Sequence, residues 1–255
     1  MSGPLDAFRL DDRVVVITGA SSGLGLGFAR AVAAVGGTLV LGARRLDRLH
    51  EIADELRATG ASVIVRAVDV TVPEQCQALA DAATAEYGRV DVLVNNAGLG
   101  GSVPALRETP DAFRQVIDVN LHGAFWTAQA CARVMPPGSS IVNVASVHGV
   151  VASRFPGAAY AASKAGVIGL TRDLAQQWSR RRGIRVNALC PGYFASEMTA
   201  TGEENLRAMV AEHSLLGRFG EQAEVDGALL FLAGRASSYV TGTTLLVDGG
   251  LAATI

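Results

Sequence analysis

Seven short runs of β-branched and aliphatic residues recur along the chain: Val14–Thr18, Thr38–Gly42, Ser62–Val68, Asp91–Asn95, Ser140–Ala145, Arg185–Leu189 and Thr244–Val247. Within them apolar side chains follow one another almost without a break. A strand covered on one face alternates apolar with polar residues, so unbroken apolarity predicts strands covered on both faces, as in a parallel sheet. Helix signals lie between the runs. Thr71-Val72-Pro73-Glu74 reads as a capping box with Pro at the first helical position. Thr109-Pro110-Asp111 opens another helix in the same manner. Strand and helix alternate throughout, which predicts an α/β fold: a doubly wound parallel sheet with helices on both faces. The chain has 255 residues, 49% of them hydrophobic, with no linker, repeat or low-complexity tract. A single domain over residues 1–255 is therefore expected.

Several function classes are set aside by charge and composition. Net charge is −2 with acids and bases interspersed, so neither a nucleic-acid footprint nor a basic membrane face is expected. The N-terminal stretch lacks an apolar signal core and no later run is long enough to span a bilayer, which leaves the cytoplasm as the expected location. Cys76, Cys131 and Cys190 are odd in number and far apart, and read as reduced core thiols. Neither they nor His50, His122, His148 and His213 have the spacing of metal ligands, so no metal is expected.

In a doubly wound sheet, ligands bind beyond the carboxyl ends of the strands, where strand order reverses. Gly19–Gly25, Asn95–Gly98, Ser146 and Pro191-Gly192 each follow a predicted strand, so four clusters fall on one rim. The first runs Gly19-Ala20-Ser21-Ser22-Gly23-Leu24-Gly25 between a strand and a helix. Its glycines permit a tight turn and close approach to a pyrophosphate, with helix N–H groups to receive it. Gly27 offers a competing register. An NAD-preferring site normally carries an acid at the end of the second strand; here the residues are Gly42-Ala43-Arg44-Arg45. The Arg44 guanidinium can pair with a 2′-phosphate in a fork, with Ser21 and Ser22 as hydroxyl donors. The expected cofactor is NADP(H), with NAD(H) the alternative.

Tyr160 and Lys164 stand four apart on a predicted helix and so share a face. A nearby ammonium favours the ionised phenol and is expected to lower a pKa that is otherwise near ~10. Ser146 can hydrogen-bond a carbonyl or hydroxyl held beside that phenol. The three make a device for moving a proton on and off an alcohol oxygen.

These residues resemble the short-chain dehydrogenase/reductase family, in its compact single-domain branch. The resemblance runs from Arg13 to about Gly250. It rests on TGASSGLG from Thr18, NNAG from Asn95, Asn120, Ser146, YAASK from Tyr160 and the Pro191-Gly192 pair. It implies a seven-stranded Rossmann-type sheet and a homo-oligomer, usually a tetramer. It implies an oxidoreductase acting between nicotinamide and a small carbonyl or secondary alcohol. Tyr160 is then general acid in reduction and base in oxidation, and Ser146 holds the substrate oxygen. Lys164 lowers the pKa of Tyr160 and bonds the nicotinamide ribose, and Asn120 holds a water linking Lys164 to solvent. Asp69 and Val70 meet the adenine. Asn96, Ala97 and Gly98 line the cofactor, while Asn95 steadies the sheet. Pro191, Gly192, Phe194 and Ser196 flank the nicotinamide, with Ser196 standing where the family usually has Thr.

The substrate side is read less far. His148 either faces substrate or packs as a neutral ring, and Tyr193, directly after the Pro-Gly turn, is the leading pocket wall. Phe155, Phe194, Met198 and Met209 are further candidates. Residues 195–215 are expected to form a helical lid. The stretches PGYFASEM and LGRFGE resemble gluconate 5-dehydrogenase-like and 3-oxoacyl-carrier-protein-reductase-like members, whereas Leu99-Gly100-Gly101-Ser102 departs from the latter.

Overall fold

A computed structural model describes residues 3–152, 154–195 and 203–254. Its strands are β1 (Val14–Thr18), β2 (Thr38–Ala43), β3 (Val63–Ala67), β4 (Val92–Asn95), β5 (Ser140–Val144), β6 (Arg185–Pro191) and β7 (Thr244–Val247). They form one sheet in the order β3-β2-β1-β4-β5-β6-β7, and every neighbouring pair is parallel. Each of the seven expected strands is present; β1 and β7 have the expected bounds, and the other five differ by one or two residues at one or both ends. β1, β4 and β5 are buried along their whole length, as their unbroken apolar sequence demands. The edge strands β3 and β7 are only partly covered.

The helices are α1 (Gly23–Ala34), α2 (Leu46–Ala58), α3 (Pro73–Tyr87), α4 (Pro110–Ile117), α5 (Gly123–Val134), α6 (Ala158–Arg182), α7 (Glu203–His213) and α8 (Gln222–Ala233). They divide between the faces of the sheet. Val15 and Ile17 pack with Phe28, Ile52 and Leu229 from α1, α2 and α8. Val14 and Val16 pack on the opposite side with Leu79, Cys131 and Leu174 from α3, α5 and α6. The alternation along β1 is the period-two pleat, and each fully buried aliphatic side chain contributes roughly 1.5–3 kcal/mol.

Thr109 caps α4 as expected, its Oγ accepting from the Ala112 N–H at 3.2 Å. The box expected at Thr71 does not form. Pro73 does open α3, but the cap position is Val72, and Thr71 turns back to donate to Asp69 through both its N–H and its hydroxyl. The carboxylate two residues upstream is the stronger acceptor.

Buried polar groups tie the layers together. Asn95 donates to the Ala124 carbonyl and to Asn143 Oδ1, and Asn143 donates to Thr171, each at 2.9 Å. Asn95 thus braces β4, β5, α5 and α6, the steadying part expected of it. Cys76, Cys131 and Cys190 are buried free thiols. Among the described residues no helix is long and apolar enough to cross a membrane. Strand order reverses at β1, whose neighbours are β2 and β4, and that reversal places a crevice at the carboxyl ends of β1 and β4.

Candidate active site

A cleft of about 500 Å³ opens at that reversal. Its floor at one end is the β1–α1 loop, where Gly19, Ser21, Ser22, Gly23 and Leu24 line the wall. Gly19 has φ +67°, and a Cβ there would stand 2.8 Å from the Ala97 Cα, so no other residue fits without displacing the second loop. Gly25 lies behind the loop, where a Cβ would come within 2.4 Å of the Gly19 carbonyl; it lets helix and loop close together and is not on the cleft wall. Gly27 faces Gln222 of α8, which removes the competing register. Ser22 is the cap residue of α1 but no side chain caps the helix, so its first N–H groups remain for a ligand at the cleft.

Arg44 and Arg45 close this end from β2. Sequence reasoning gave Arg44 the leading part, but Arg45 reaches the glycine loop. Its NH2 donates to Ser22 Oγ at 2.6 Å and to Ser21 Oγ at 3.2 Å. Two guanidinium groups and two hydroxyls therefore converge where the ribose of a dinucleotide would lie. Uncapped helix donors, close-packed glycines and this cationic corner fit a dinucleotide. Asp69 and Val70 line the adjoining wall, where hydrogen bonds from Thr71 hold the Asp69 carboxyl below its ordinary value.

The β4 loop forms the middle of the cleft. Thr18 Oγ accepts from the Asn96 and Ala97 N–H groups, both at 3.1 Å, and Asn96 Nδ2 donates to the Thr18 and Gly19 carbonyls. Asn96 therefore staples the two loops, while Ala97 and Gly98 line the cavity. Thr18 was missed in the sequence because it reads simply as the last residue of a strand. Ala43, Val68, Leu99, Val119, Val144 and Ala145 also line the cleft and carried no motif.

At the far end stand Ser146, Tyr160 and Lys164, with Pro191, Gly192 and Phe194 opposite. Tyr160 faces Ser146 closely enough for that hydroxyl to favour the ionised phenol. Burial nevertheless raises the phenol above its ordinary value, and the nearby Ser146 hydroxyl opposes this only in part. The lowering expected from Lys164 is not produced by the chain's own groups. The Lys164 Nζ donates to the Val144 carbonyl at 2.8 Å and lies 5.7 Å from the centre of the phenol ring. Burial pulls Lys164 itself down to about 8.

Asn120 sits just behind the wall rather than on it. It occupies a π-helical turn, Asp118–His122, between α4 and α5. The widened turn aims its side chain at the Leu99 backbone, accepting from N–H at 2.7 Å and donating to the carbonyl at 3.0 Å. Its other proton goes to Ser163 Oγ at 2.9 Å. His148 and Tyr193 are brought together: His148 Nε2 and the Tyr193 hydroxyl lie 2.9 Å apart. Phe155 is exposed and Met209 half-buried on α7; Ser196 and Met198 lie outside the described residues.

One stability effect follows from Lys164. Its ammonium is buried with a single acceptor, so folding disfavours the charged form. Between about 8 and the ordinary 10.5 the unfolded chain holds the proton more tightly, so this destabilisation is complete below 8 and fades as pH rises through that window. Lys164→Met is expected to raise stability at pH 7 by about 1–3 kcal/mol, with the gain vanishing above pH 10.5. Urea melts of both proteins across that range check it; a gain independent of pH contradicts it.

A family model described as enoyl-(acyl carrier protein) reductase matches residues 19–252. Galactitol 2-dehydrogenase (L-tagatose-forming) of Cereibacter sphaeroides is 46% identical over 249 residues, covering 95% of this chain and 96% of that protein. A 3-oxoacyl-acyl-carrier-protein reductase of Thermotoga maritima is 39% identical over 246 residues, covering 95% of this chain and 99% of its own. Among solved structures, a gluconate 5-dehydrogenase from Burkholderia cenocepacia J2315 in complex with NADP and tartrate superposes with a TM-score of 0.94 at 36% identity. That match covers 99% of this chain and 100% of the other.

Proposed function

The chain belongs to the short-chain dehydrogenase/reductase family, oxidoreductases acting on CH–OH groups, and we propose that it is an NADP(H)-dependent enzyme for a polyhydroxylated substrate. The observation that carries this reading is the convergence of Ser146, Tyr160 and Lys164 at one end of a cleft whose other end holds Arg44, Arg45, Ser21 and Ser22. Bound in that cleft, the nicotinamide cofactor supplies or accepts the hydride. The chain supplies position and a proton. Ser146 holds the substrate oxygen, and Tyr160 gives that oxygen its proton in reduction or takes it in oxidation. Lys164 bonds the nicotinamide ribose, and Asn120 holds the water that connects Lys164 to solvent. Its grip on Leu99 sets the shape of the intervening wall.

Two further parts belong to the same reading. Residues 195–215, of which 196–202 lie outside the described residues, act as a lid, supported by the helix α7 and by Val210, which lines a small cavity of about 80 Å³ with Tyr193 and Phe194. The protein works in the cytoplasm as a homotetramer, supported by large apolar side chains left exposed, Leu106, Tyr239 and Leu246 among them. NAD(H) is the alternative cofactor and a 3-oxoacyl thioester the alternative substrate. The relatives named for galactitol and gluconate favour the polyol.

The cofactor reading has a direct test. Changing Arg44 and Arg45 together to Ala is expected to lower kcat/KM for NADPH about 10–100-fold, the effect of one or two charge-assisted hydrogen bonds. The same change should alter kcat/KM for NADH by less than about threefold. Steady-state kinetics with each cofactor checks this, and equal losses for both would leave the arginines as loop supports only.

A further inference from the structure

His148 carries the one buried side-chain nitrogen or oxygen among the described residues that has no hydrogen-bond partner, its ring Nδ1. The imidazole packs edge-on against Tyr160, with ring centres 6.4 Å apart, and against Tyr193 at 5.5 Å. Its backbone N–H donates to Ser146 Oγ at 3.2 Å. The Tyr193 hydroxyl holds Nε2, and the Tyr193 ring is itself stacked on Phe219 with centres 6.1 Å apart. The ring is thus fixed from three sides next to the proposed proton donor, and only one of its nitrogens is used.

An unpaired buried nitrogen disfavours the fold unless a ligand meets it. Burial lowers the imidazole's pKa, so the ring is neutral and carries one donor and one acceptor. If the Tyr193 hydroxyl donates to Nε2, Nδ1 is an N–H; if it accepts, Nδ1 is a bare lone pair. A hydroxyl satisfies either form, because it both donates and accepts. A carboxylate satisfies only the first and an ammonium only the second.

We propose that His148, positioned by Tyr193, is a specificity-determining residue that hydrogen-bonds a hydroxyl on the carbon next to the reacting carbonyl. This rests on the reading of Ser146 and Tyr160 as the groups that receive the substrate oxygen. Their closeness to His148 is what places the second oxygen one carbon away. Nδ1 is buried, and a substrate hydroxyl that reaches it makes the hydrogen bond the fold leaves unmade. The enzyme then selects α-hydroxyketones and vicinal diols over simple ketones and alcohols.

The test compares acetoin with 2-butanone, which differ by one hydroxyl beside the carbonyl. The wild type is expected to reduce acetoin with the higher kcat/KM. In His148→Leu the acetoin-to-butanone ratio is expected to fall about tenfold, the loss of one neutral hydrogen bond. His148→Asn places an amide near the Nδ1 position and is expected to recover most of the ratio. Should the Leu variant fail to fold, His148→Phe, which keeps a ring without its nitrogens, carries the test with the same expected fall in the ratio. NADPH binding, followed by fluorescence, verifies that each variant has its cleft. A ratio unchanged in the variant that lacks the ring nitrogens, Leu or Phe, overturns the inference and leaves the proposed function standing. Absence of acetoin turnover in the wild type overturns the inference, and absence of turnover with every sugar alcohol and ketose as well overturns the proposed function.

Discussion

Replacing Tyr160 by Phe is expected to lower kcat by about 10²–10⁴-fold while leaving dinucleotide affinity nearly unchanged. The substitution removes one oxygen. The ring stays where it is, between Lys164 and His148, because those contacts belong to the ring and not to the hydroxyl. What is lost is the hydroxyl that faces Ser146. The phenol is buried and its pKa is raised by that burial, so taking the oxygen away relieves a desolvated group and should not weaken the fold. The raised value also says what the chain alone lacks. The Lys164 ammonium donates to the Val144 carbonyl and lies 5.7 Å from the centre of the phenol ring, and burial of the phenol outweighs what the chain's own groups do to favour the phenolate. A Phe variant with a kcat within twofold of the parent would remove Tyr160 from the mechanism.

The second large effect concerns the fold under the cleft. Asp91 is fully buried at the entrance to β4, where it accepts from the Val14 N–H at 3.0 Å, Arg13 at 3.1 Å and Arg89 at 2.6 Å. Asp91→Ala would leave the Val14 N–H without its acceptor and two guanidinium groups facing an empty corner. Removing one partner of a buried ion pair costs about 3–5 kcal/mol. Arg13 and Arg89 are partly exposed and can hydrate, which puts the expectation at the lower end, about 3 kcal/mol. Asp91→Asn retains an acceptor for Val14 and should cost less. Urea denaturation of the three proteins checks the order; an Ala variant as stable as the parent contradicts it.

Asp91 also shows where sequence reasoning stops. It reads as the first residue of an apolar run, and its partners are the first residue of β1, the residue before that strand and a residue two places upstream of Asp91, which no local pattern announces. The strands themselves were legible because their burial on both faces is written as unbroken apolarity. Ser146, Tyr160 and Lys164 were legible because a loop after a strand and an i, i+4 spacing already put them on one rim. Asn120 was legible only through resemblance. What aims it is a π turn, and no residue type there signals one. Arg45 outranked Arg44 at the serine loop for a geometric reason: direction along a chain that turns from strand to helix is not carried by composition. The misplaced box at Thr71 shares that cause, since a carboxylate two residues back competes with the helix for the same hydroxyl.

The central claim is that hydride moves between nicotinamide and a CH–OH carbon beside Tyr160, with NADP(H) preferred. Initial rates of nicotinamide absorbance change test it, taken for the wild type and Tyr160→Phe over a panel of sugar alcohols and ketoses with each cofactor. The account predicts turnover of at least one polyol–ketose pair, faster with NADP(H) than with NAD(H) and lost in the Phe variant. Turnover undiminished in the variant, or none with either cofactor despite tight NADPH binding, would contradict it.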